Sequence, residues 1–256
     1  MCFPSKKQKA NFDTEPTTTK AAAANTKAAA PAASAPAAPP PTTTTETATT
    51  KSMAGPKIAI VLYSMYGHIT KMSEAVKKGI EEAGGSVTVY QSDRGNAAPG
   101  GPDEDVRPCK ARVPHHHPRR ARQVRRFLMG IPTRFGNFPA QWKAFWDSTS
   151  GLWASGALAG KYAGAFVSTA GPGGGQETTV LATISTLTHH GVIYVPLGYS
   201  QSFGQLTNLS EVHGGSPWGA GTFAAADGSR QPTALELEIA TIQGKQFYGV
   251  VSKVKF

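Results

Sequence analysis

Cysteine is almost missing from this chain: Cys2 and Cys109 are the only two among 256 residues. Two are too few for a disulfide framework, and nothing in the sequence indicates secretion. No apolar run approaches the length that spans a bilayer. The start does not read as a signal peptide, because Phe3-Pro4-Ser5-Lys6-Lys7 leads into Ala/Pro/Thr repeats and never reaches an apolar stretch. A cytoplasmic protein is expected. Acidic residues are also scarce, 16 against 26 Lys and Arg, for a formal net charge of +10. That excess lies outside the presumed folded core: residues 1–52 carry +3, residues 92–126 carry +5 and the remainder only +2. A nucleic-acid reader shows a basic face on its fold, so no nucleic-acid partner is expected.

Two segments lack the material of a core. Residues 1–52 are almost entirely Ala, Thr, Pro, Lys and Ser. Such a composition cannot offset its ordering entropy, so residues 1–55 are expected to be a disordered tail. Residues 92–126 contain no Leu, Ile, Met, Phe, Tyr or Trp. Pro, Arg, Gly and the run His115-His116-His117 take their place, and an irregular segment is predicted.

The rest is strongly patterned. Residues 57–63 form a near-continuous apolar run, as in a central parallel strand covered on both faces. Ile69, Met72, Val76 and Ile80 recur at helical spacing until Gly84-Gly85. Further strands are predicted at 86–91, 127–131, 162–168 and 192–197, with helices at 138–149 and 176–189. Pro232 suits the first turn of a last helix, with Leu235, Ile239 and Ile242 inward. Strands alternating with helices imply an α/β doubly wound fold. The expected architecture is a five-stranded parallel sheet of order 2-1-3-4-5 with helices on both faces.

Three loops follow strands and can converge on one crevice at the strands' carboxyl ends. In the first, Ser64 offers a hydroxyl, Gly67 lets the backbone approach, and His68, Ile69 and Thr70 offer amides at a helix mouth, which suits a phosphate. No Walker A pattern or Gly-x-Gly-x-x-Gly is present, which favours a monophosphate. An ordinary strand–helix turn explains the same residues. In the second, Pro132 precedes Thr133, Arg134, Phe135, Gly136 and Asn137, which can present amides and an apolar ring to a flat heterocycle. Taken alone, Phe135 as core and Gly136-Asn137 as a helix cap explains this loop better. In the third, Ser168 and Thr169 end a strand, and Gly171, Gly173, Gly174 and Gly175 permit close approach before Gln176. Together the loops describe a flavin mononucleotide (FMN) site. Trp153 reads equally as a stacking wall for a planar substrate or a core plug. His189 and His190 close a helix, where capping is the usual role, and no metal is expected.

The motifs SMYGHI (64–69), GIPTRFGN (130–137), GLWASGALAG (151–160), GGGQE (173–177), His189-His190-Gly191 and GSRQP (228–232) occur in this order. In them the chain resembles the flavodoxin-like NAD(P)H:quinone oxidoreductases of the tryptophan-repressor-binding-protein (WrbA) family, fungal branch. The resemblance covers residues 56–91 and 127–256. It implies an FMN enzyme that takes hydride from NADH or NADPH and reduces quinones by two electrons, with ping-pong kinetics, in oxidative-stress defence. It implies a homotetramer or homodimer. By the family's pattern, Ser64 and Met65, Tyr66, Gly67, His68 and Ile69 hold the phosphate. Residues 133–137 and 168–176 surround the ring and ribityl chain, and His190 lies against the flavin. Tyr66 and Trp153 contact nicotinamide or quinone. No side chain acts as a catalytic acid, since the cofactor carries the chemistry.

The sequence departs from the family at Ala170-Gly171-Pro172, where Gly-Thr is usual, and throughout 92–126. Relatives have a comparable length there with apolar residues, so a stretch translated out of frame is expected. Near the start, Cys2 beside Lys6, Lys7 and Lys9 reads equally as an S-acylation site with a basic patch, a peripheral attachment to the plasma membrane, or as an untouched cytosolic cysteine. A non-catalytic flavin-binding scaffold is the rival reading.

Overall fold

The computed structural model describes residues 56–91 and 124–254. The expected tail and nearly all of the expected irregular segment lie outside the described residues. Strand β1 (Lys57–Leu62) leads into helix α1 (His68–Glu82), and β2 (Ser86–Gln91) follows. After the second described stretch opens come β3 (Arg126–Pro132), α2 (Ala140–Asp147), the short α3 (Ser150–Ala154) and β4 (Tyr162–Thr169). A single 3-10 turn (Pro172–Gly174) precedes α4 (Gln176–His189). The chain ends through β5 (Ile193–Tyr194), α5 (Phe203–Leu206), β6 (Gly221–Phe223) and α6 (Ala234–Val251).

The sheet is parallel throughout, in the order β2-β1-β3-β4-β5, with β6 also paired to β4. The period of two along each strand sorts side chains to two faces. Ile58, Ile60, Leu62, Leu128 and Phe166 pack under α1 and α6. Val61, Phe127, Met129, Ile131 and Val167 pack with Trp142 and Trp146 of α2 and Val180 and Leu187 of α4. Helices α1 and α6 touch through glycines: a Cβ on Gly79 would collide with the Thr241 carbonyl, and one on Gly244 with the Val76 carbonyl.

The fifth strand differs from expectation. In place of one strand at 192–197 there are two short pieces on the same edge of β4. β5 pairs with Tyr162 and Ala163, and β6 with Val167, Ser168 and Thr169. The chain leaves the sheet between them. Gln243 of α6, almost fully buried, bridges the gap: its amide donates to Ala165 O (2.8 Å) and its Oε1 accepts from Ala220 N (3.0 Å). A side-chain amide thus replaces the missing rung of the ladder and pairs the Ala165 carbonyl and the Ala220 amide.

Smaller differences have local causes. β3 begins at Arg126, one residue before the expected strand, and Arg126 is buried with its guanidinium donating to Val251 O and Val254 O. The helix expected at 138–149 is shorter: α2 runs from Ala140 to Asp147 and ends at Ser148 and Thr149, whose hydroxyls turn back onto Phe145 O and Trp146 O, and α3 follows as an unexpected separate turn. Pro232 lies outside α6. Thr233 caps that helix, in a capping box with Glu236.

Candidate functional site

A cavity of about 360 Å³ opens at the carboxyl ends of β1, β3 and β4. The first loop contributes Ser64, Met65, Tyr66, His68 and Ile69; the second, Pro132, Thr133 and Arg134; the third, Ser168, Thr169 and Ala170. All three expected loops meet there. A fourth, residues 224–228, completes the wall and was not foreseen.

In the first loop Gly67 occupies the left-handed region (φ 87°) that L side chains rarely adopt, and its N–H donates to Ser64 Oγ (3.1 Å). No side chain caps α1 and its first turn carries no acid. First-turn amides have no acceptor within their helix, so this mouth is suited to an anion. His68 is buried and donates from Nε2 to Arg230 O (2.7 Å), which ties the helix start to the fourth loop.

The second loop is a tight two-residue turn. Arg134 and Asn137 exchange backbone bonds of 2.7 and 3.0 Å, with Phe135 (φ 52°) and Gly136 (φ 72°) at its tip. Positive φ at both central positions defines a type I′ turn. Phe135 stands fully exposed there, so it is neither core nor cavity wall in the single chain. The Arg134 guanidinium donates to Thr133 O (2.9 Å) and to Met65 Sδ (3.5 Å), joining the second loop to the first. The second loop also meets the third: a Cβ on Gly175 (φ 90°) would lie 2.8 Å from Gly136 Cα.

In the third loop Gly174 packs on the Thr169 side chain and Gly175 on Gly136, while a Cβ on Gly171 or Gly173 would meet nothing within 4 Å. Gly171, Gly173, Gly174, Gly175 and Gln176 do not line the cavity, and neither do Gly67, Phe135, Gly136 and Asn137. Gln176 is buried and braces its surroundings, donating to Thr169 Oγ1 (3.2 Å) and Thr222 O (3.1 Å) and accepting from Gly215 N (2.8 Å).

The fourth loop is held by a buried carboxylate. Glu236 has no exposed surface. Its oxygens accept from Gly214 N, Phe223 N, Thr233 N and Thr222 Oγ1, and from Arg230 Nη1 at 3.0 and 3.1 Å. Arg230 also donates to Phe223 O and Val212 O. Ala224 N donates to Thr169 O (2.8 Å), which sets the loop beside the third. Ala225 sits at φ 64°; with Phe135 it makes the two non-glycine residues of positive φ among those described. Strain of this kind collects where a ligand is held. The sequence signal for this wall was GSRQP, whose arginine is the clamp.

His190, expected against the flavin, and Trp153, expected at the nicotinamide or quinone, do not line the cavity within this chain. Gly160 N donates to Gly191 O, and Ile193 N to Lys161 O, so His190 stands at the amino end of β4. The cavity uses the carboxyl end, roughly 20 Å away along the strand. His190 Nε2 donates to Thr149 Oγ1 (3.0 Å), whose hydroxyl donates to Trp146 O, and the ring lies 5.6 Å from that of Trp146. Burial, and then neighbouring His189, hold the His190 pKa below its usual value. Trp153 follows Thr149 within one helical turn, its N–H donating to Thr149 O, and is more than half exposed. It is not a core plug.

A model of the flavodoxin family matches residues 60–191. This chain belongs to the flavodoxin family. Its sequence is 57% identical over 203 residues to "NAD(P)H quinone oxidoreductase PST3" of Candida albicans, covering 77% of this chain and 99% of that protein. It is 55% identical over 204 residues to "Protoplast secreted protein 2" of Saccharomyces cerevisiae, again 77% and 99%. Minor allergen Alt a 7 of Alternaria alternata is 56% identical over 204 residues. Among solved structures, a WrbA-like flavodoxin from Agrobacterium tumefaciens superposes with a TM-score of 0.54 at 22% identity, over 78% of this chain and 99% of that one. The likeness to that structure is one of fold.

The cavity fits the family's cofactor. It offers an uncapped helix mouth with a left-handed glycine, a hydroxyl at Ser64, and a turn strained into place at its rim. Among the described residues no three His, Cys, Asp or Glu side chains gather as metal ligands, and no helix is long and apolar enough to cross a membrane.

Proposed function

We propose that this protein is an FMN-dependent NAD(P)H:quinone oxidoreductase. The observation that carries the reading is the single cavity where the uncapped α1 mouth meets the turns after β3 and β4. Relatives of more than 50% identity that bear the name NAD(P)H quinone oxidoreductase support it. Ser64 and the amides from Met65 to Ile69 would hold the phosphate. Thr133, Arg134, Ser168 and Thr169 would face the ring and ribityl chain. When bound, FMN supplies hydride acceptance and two-electron donation that no side chain here provides. The chain's own part is binding, orientation and exclusion of water. Tyr66, exposed at the rim, would meet the nicotinamide or the quinone. One shared opening admits the two substrates in turn, which corresponds to ping-pong kinetics. Two-electron removal of quinones corresponds to a role in oxidative-stress defence.

The test is the absorption spectrum of the full chain titrated with FMN, followed by NADH- or NADPH-driven benzoquinone reduction. Stoichiometric flavin binding with turnover is expected. A yellow protein without turnover would establish the scaffold reading; a protein that binds no FMN would overturn both.

A homodimer or homotetramer is part of this reading. His190 and Trp153 cannot reach the cavity of their own chain, and Trp153, Phe135 and Tyr66 expose large apolar surface in the monomer. A second protomer is what could carry Trp153 and His190 to the cavity. Sedimentation at a mass above one chain, with Trp153→Ala raising the quinone KM, is the expected result; a fully active monomer overturns it. We further propose a cytoplasmic location, with a peripheral hold on the plasma membrane through an acylated Cys2 and its neighbouring lysines. Cys2→Ser should move it out of the membrane fraction, and unchanged fractionation removes that attachment.

A further inference from the structure

Thr133 opens the second loop and lines the cavity. Its N–H donates to Ser168 O (2.8 Å) and its carbonyl accepts from Arg134 Nη1 (2.9 Å), so the hydroxyl is the polar group it has left for a ligand. Thr133 Oγ1 lies 2.9 Å from Thr179 Oγ1, a buried pair in which distance alone leaves the donor open. The surroundings decide it. Thr179, in α4, has no exposed surface, and Thr133 is its hydroxyl's single partner among the described residues. A helical threonine can turn its hydroxyl back to the carbonyl four residues earlier, as Thr183 does to Thr179 O (2.9 Å). For Thr179 that carbonyl is Gly175 O, which already accepts from Thr179 N (3.0 Å) and Thr178 Oγ1 (3.1 Å) and so has both lone pairs engaged. Were Thr133 the donor, the Thr179 hydrogen would be buried without an acceptor, a costly state that folded proteins avoid. Thr179 therefore donates and Thr133 accepts. The Thr133 hydrogen is left to turn into the cavity.

We propose that Thr179 is a positioning residue that aims the Thr133 hydroxyl proton at the cofactor ring, so that the pair favours reduced over oxidised FMN. The inference rests on the FMN reading above and adds to it a residue that does not itself line the cavity. Hydride from NAD(P)H, which leaves as NAD(P)+, brings two electrons and a proton and makes the ring more electron-rich. A donor held against that ring stabilises the reduced form more than the oxidised one. A hydroxyl that itself accepts a hydrogen bond is a stronger donor, because bonds in a chain polarise one another. Thr133 cannot turn its proton back onto Thr179, so no reorientation is needed as charge develops.

The experiment loads the full chain with FMN and measures the two-electron midpoint potential, the Kd of oxidised FMN and quinone-reductase kinetics. Wild type is compared with Thr179→Val, Thr179→Ser and Thr133→Val. Thr179→Val keeps the side-chain shape and removes the donor. It should weaken reduced relative to oxidised FMN by about threefold to tenfold, a fall in potential of about 15–30 mV for a two-electron couple. Oxidised FMN should bind as in wild type. Thr179→Ser restores the donor and should return the wild-type potential, even where its shorter side chain lowers the melting temperature. Thr133→Val should lower the potential at least as far, and adding Thr179→Val to it should change nothing more, since no hydroxyl is left to orient. If Thr179→Val does not fold, Thr179→Ala removes the same donor without a branched side chain, and its potential is read instead. An unchanged potential without the Thr179 hydroxyl, equal weakening of oxidised and reduced FMN, or a serine variant that behaves as the valine one overturns the assignment. A chain that binds no FMN overturns the FMN reading and this inference with it. The expected potentials in a chain that reduces no quinone uphold the inference and overturn the turnover alone.

Discussion

At the scale of single residues, Glu236 shows how a buried charge shapes the site. Its carboxylate gathers four protein donors besides the Arg230 guanidinium, and together they tie the chain between β6 and α6 to the start of α6. Removing one partner of such a pair leaves the other charge and several N–H groups buried without acceptors. Glu236→Leu is expected to cost about 3–5 kcal/mol in urea unfolding. It should also weaken FMN binding, because the fourth wall loses its clamp. His190 supplies a pH signature. Its folded pKa lies below the usual value of 6.5, through burial and the neighbouring His189. The folded state then binds fewer protons than the unfolded one just below that pH. Stability from this group is complete above about 6.5 and lost as pH falls toward the folded pKa. Denaturation between pH 7.5 and 5.5 should show a steeper loss for wild type than for His190→Asn. Equal slopes would remove the assignment.

At the scale of elements, the split fifth strand matters most to the cavity. By leaving the edge of β4 after Tyr194 and returning at Gly221, the chain gains a connection able to place residues 224–228 beside Thr169. The cost is an open stretch of β4 edge, which Gln243 bridges. Gln243→Leu would strand the Ala165 carbonyl and the Ala220 amide in the core, for an expected loss of about 2–4 kcal/mol in denaturant unfolding, two groups at the usual 1–3 each, less the gain from added apolar surface. Hydrogen exchange at Ala220 should rise in that variant. The α1–α6 contact predicts a second sensitive point. Gly244→Ala places a methyl against the Val76 carbonyl, so the helices must separate. Overpacking of this kind typically costs about 1–3 kcal/mol, and thermal unfolding would register it. An unchanged midpoint would mean that the two helices have room to spare.

At the scale of the whole molecule, residues 92–126 lack Leu, Ile, Met, Phe, Tyr and Trp in a chain that matches relatives at more than half of its aligned positions. Transcript sequencing is expected to show a frame change on either side of this stretch. In-frame codons confirmed throughout would end that account. The sheet order, the strand–loop–helix rhythm and the convergence of three loops could be read from the sequence, because local periodicity and turn residues encode them directly. Lys57 to Leu62 had to be a covered strand, and the run from Ser64 to Ile69 had to join it to a helix. Gly171, Gly173 and Gly174 announced a turn but not which way it faced, since a glycine permits an approach without saying by what. His190 and Trp153 looked like pocket residues because motif order carries no distance; the fold puts them at the far end of β4. Asp227 and Ala225 carried no signal, for their place depends on an arginine and a glutamate meeting across the chain. The sequence alone thus determined the class of fold, the three-loop cradle and the kind of ligand, all of which depend on neighbours in the chain. Only the tertiary structure decided the fourth wall, the split strand and what one protomer leaves unfinished, because those follow from contacts between residues far apart in sequence.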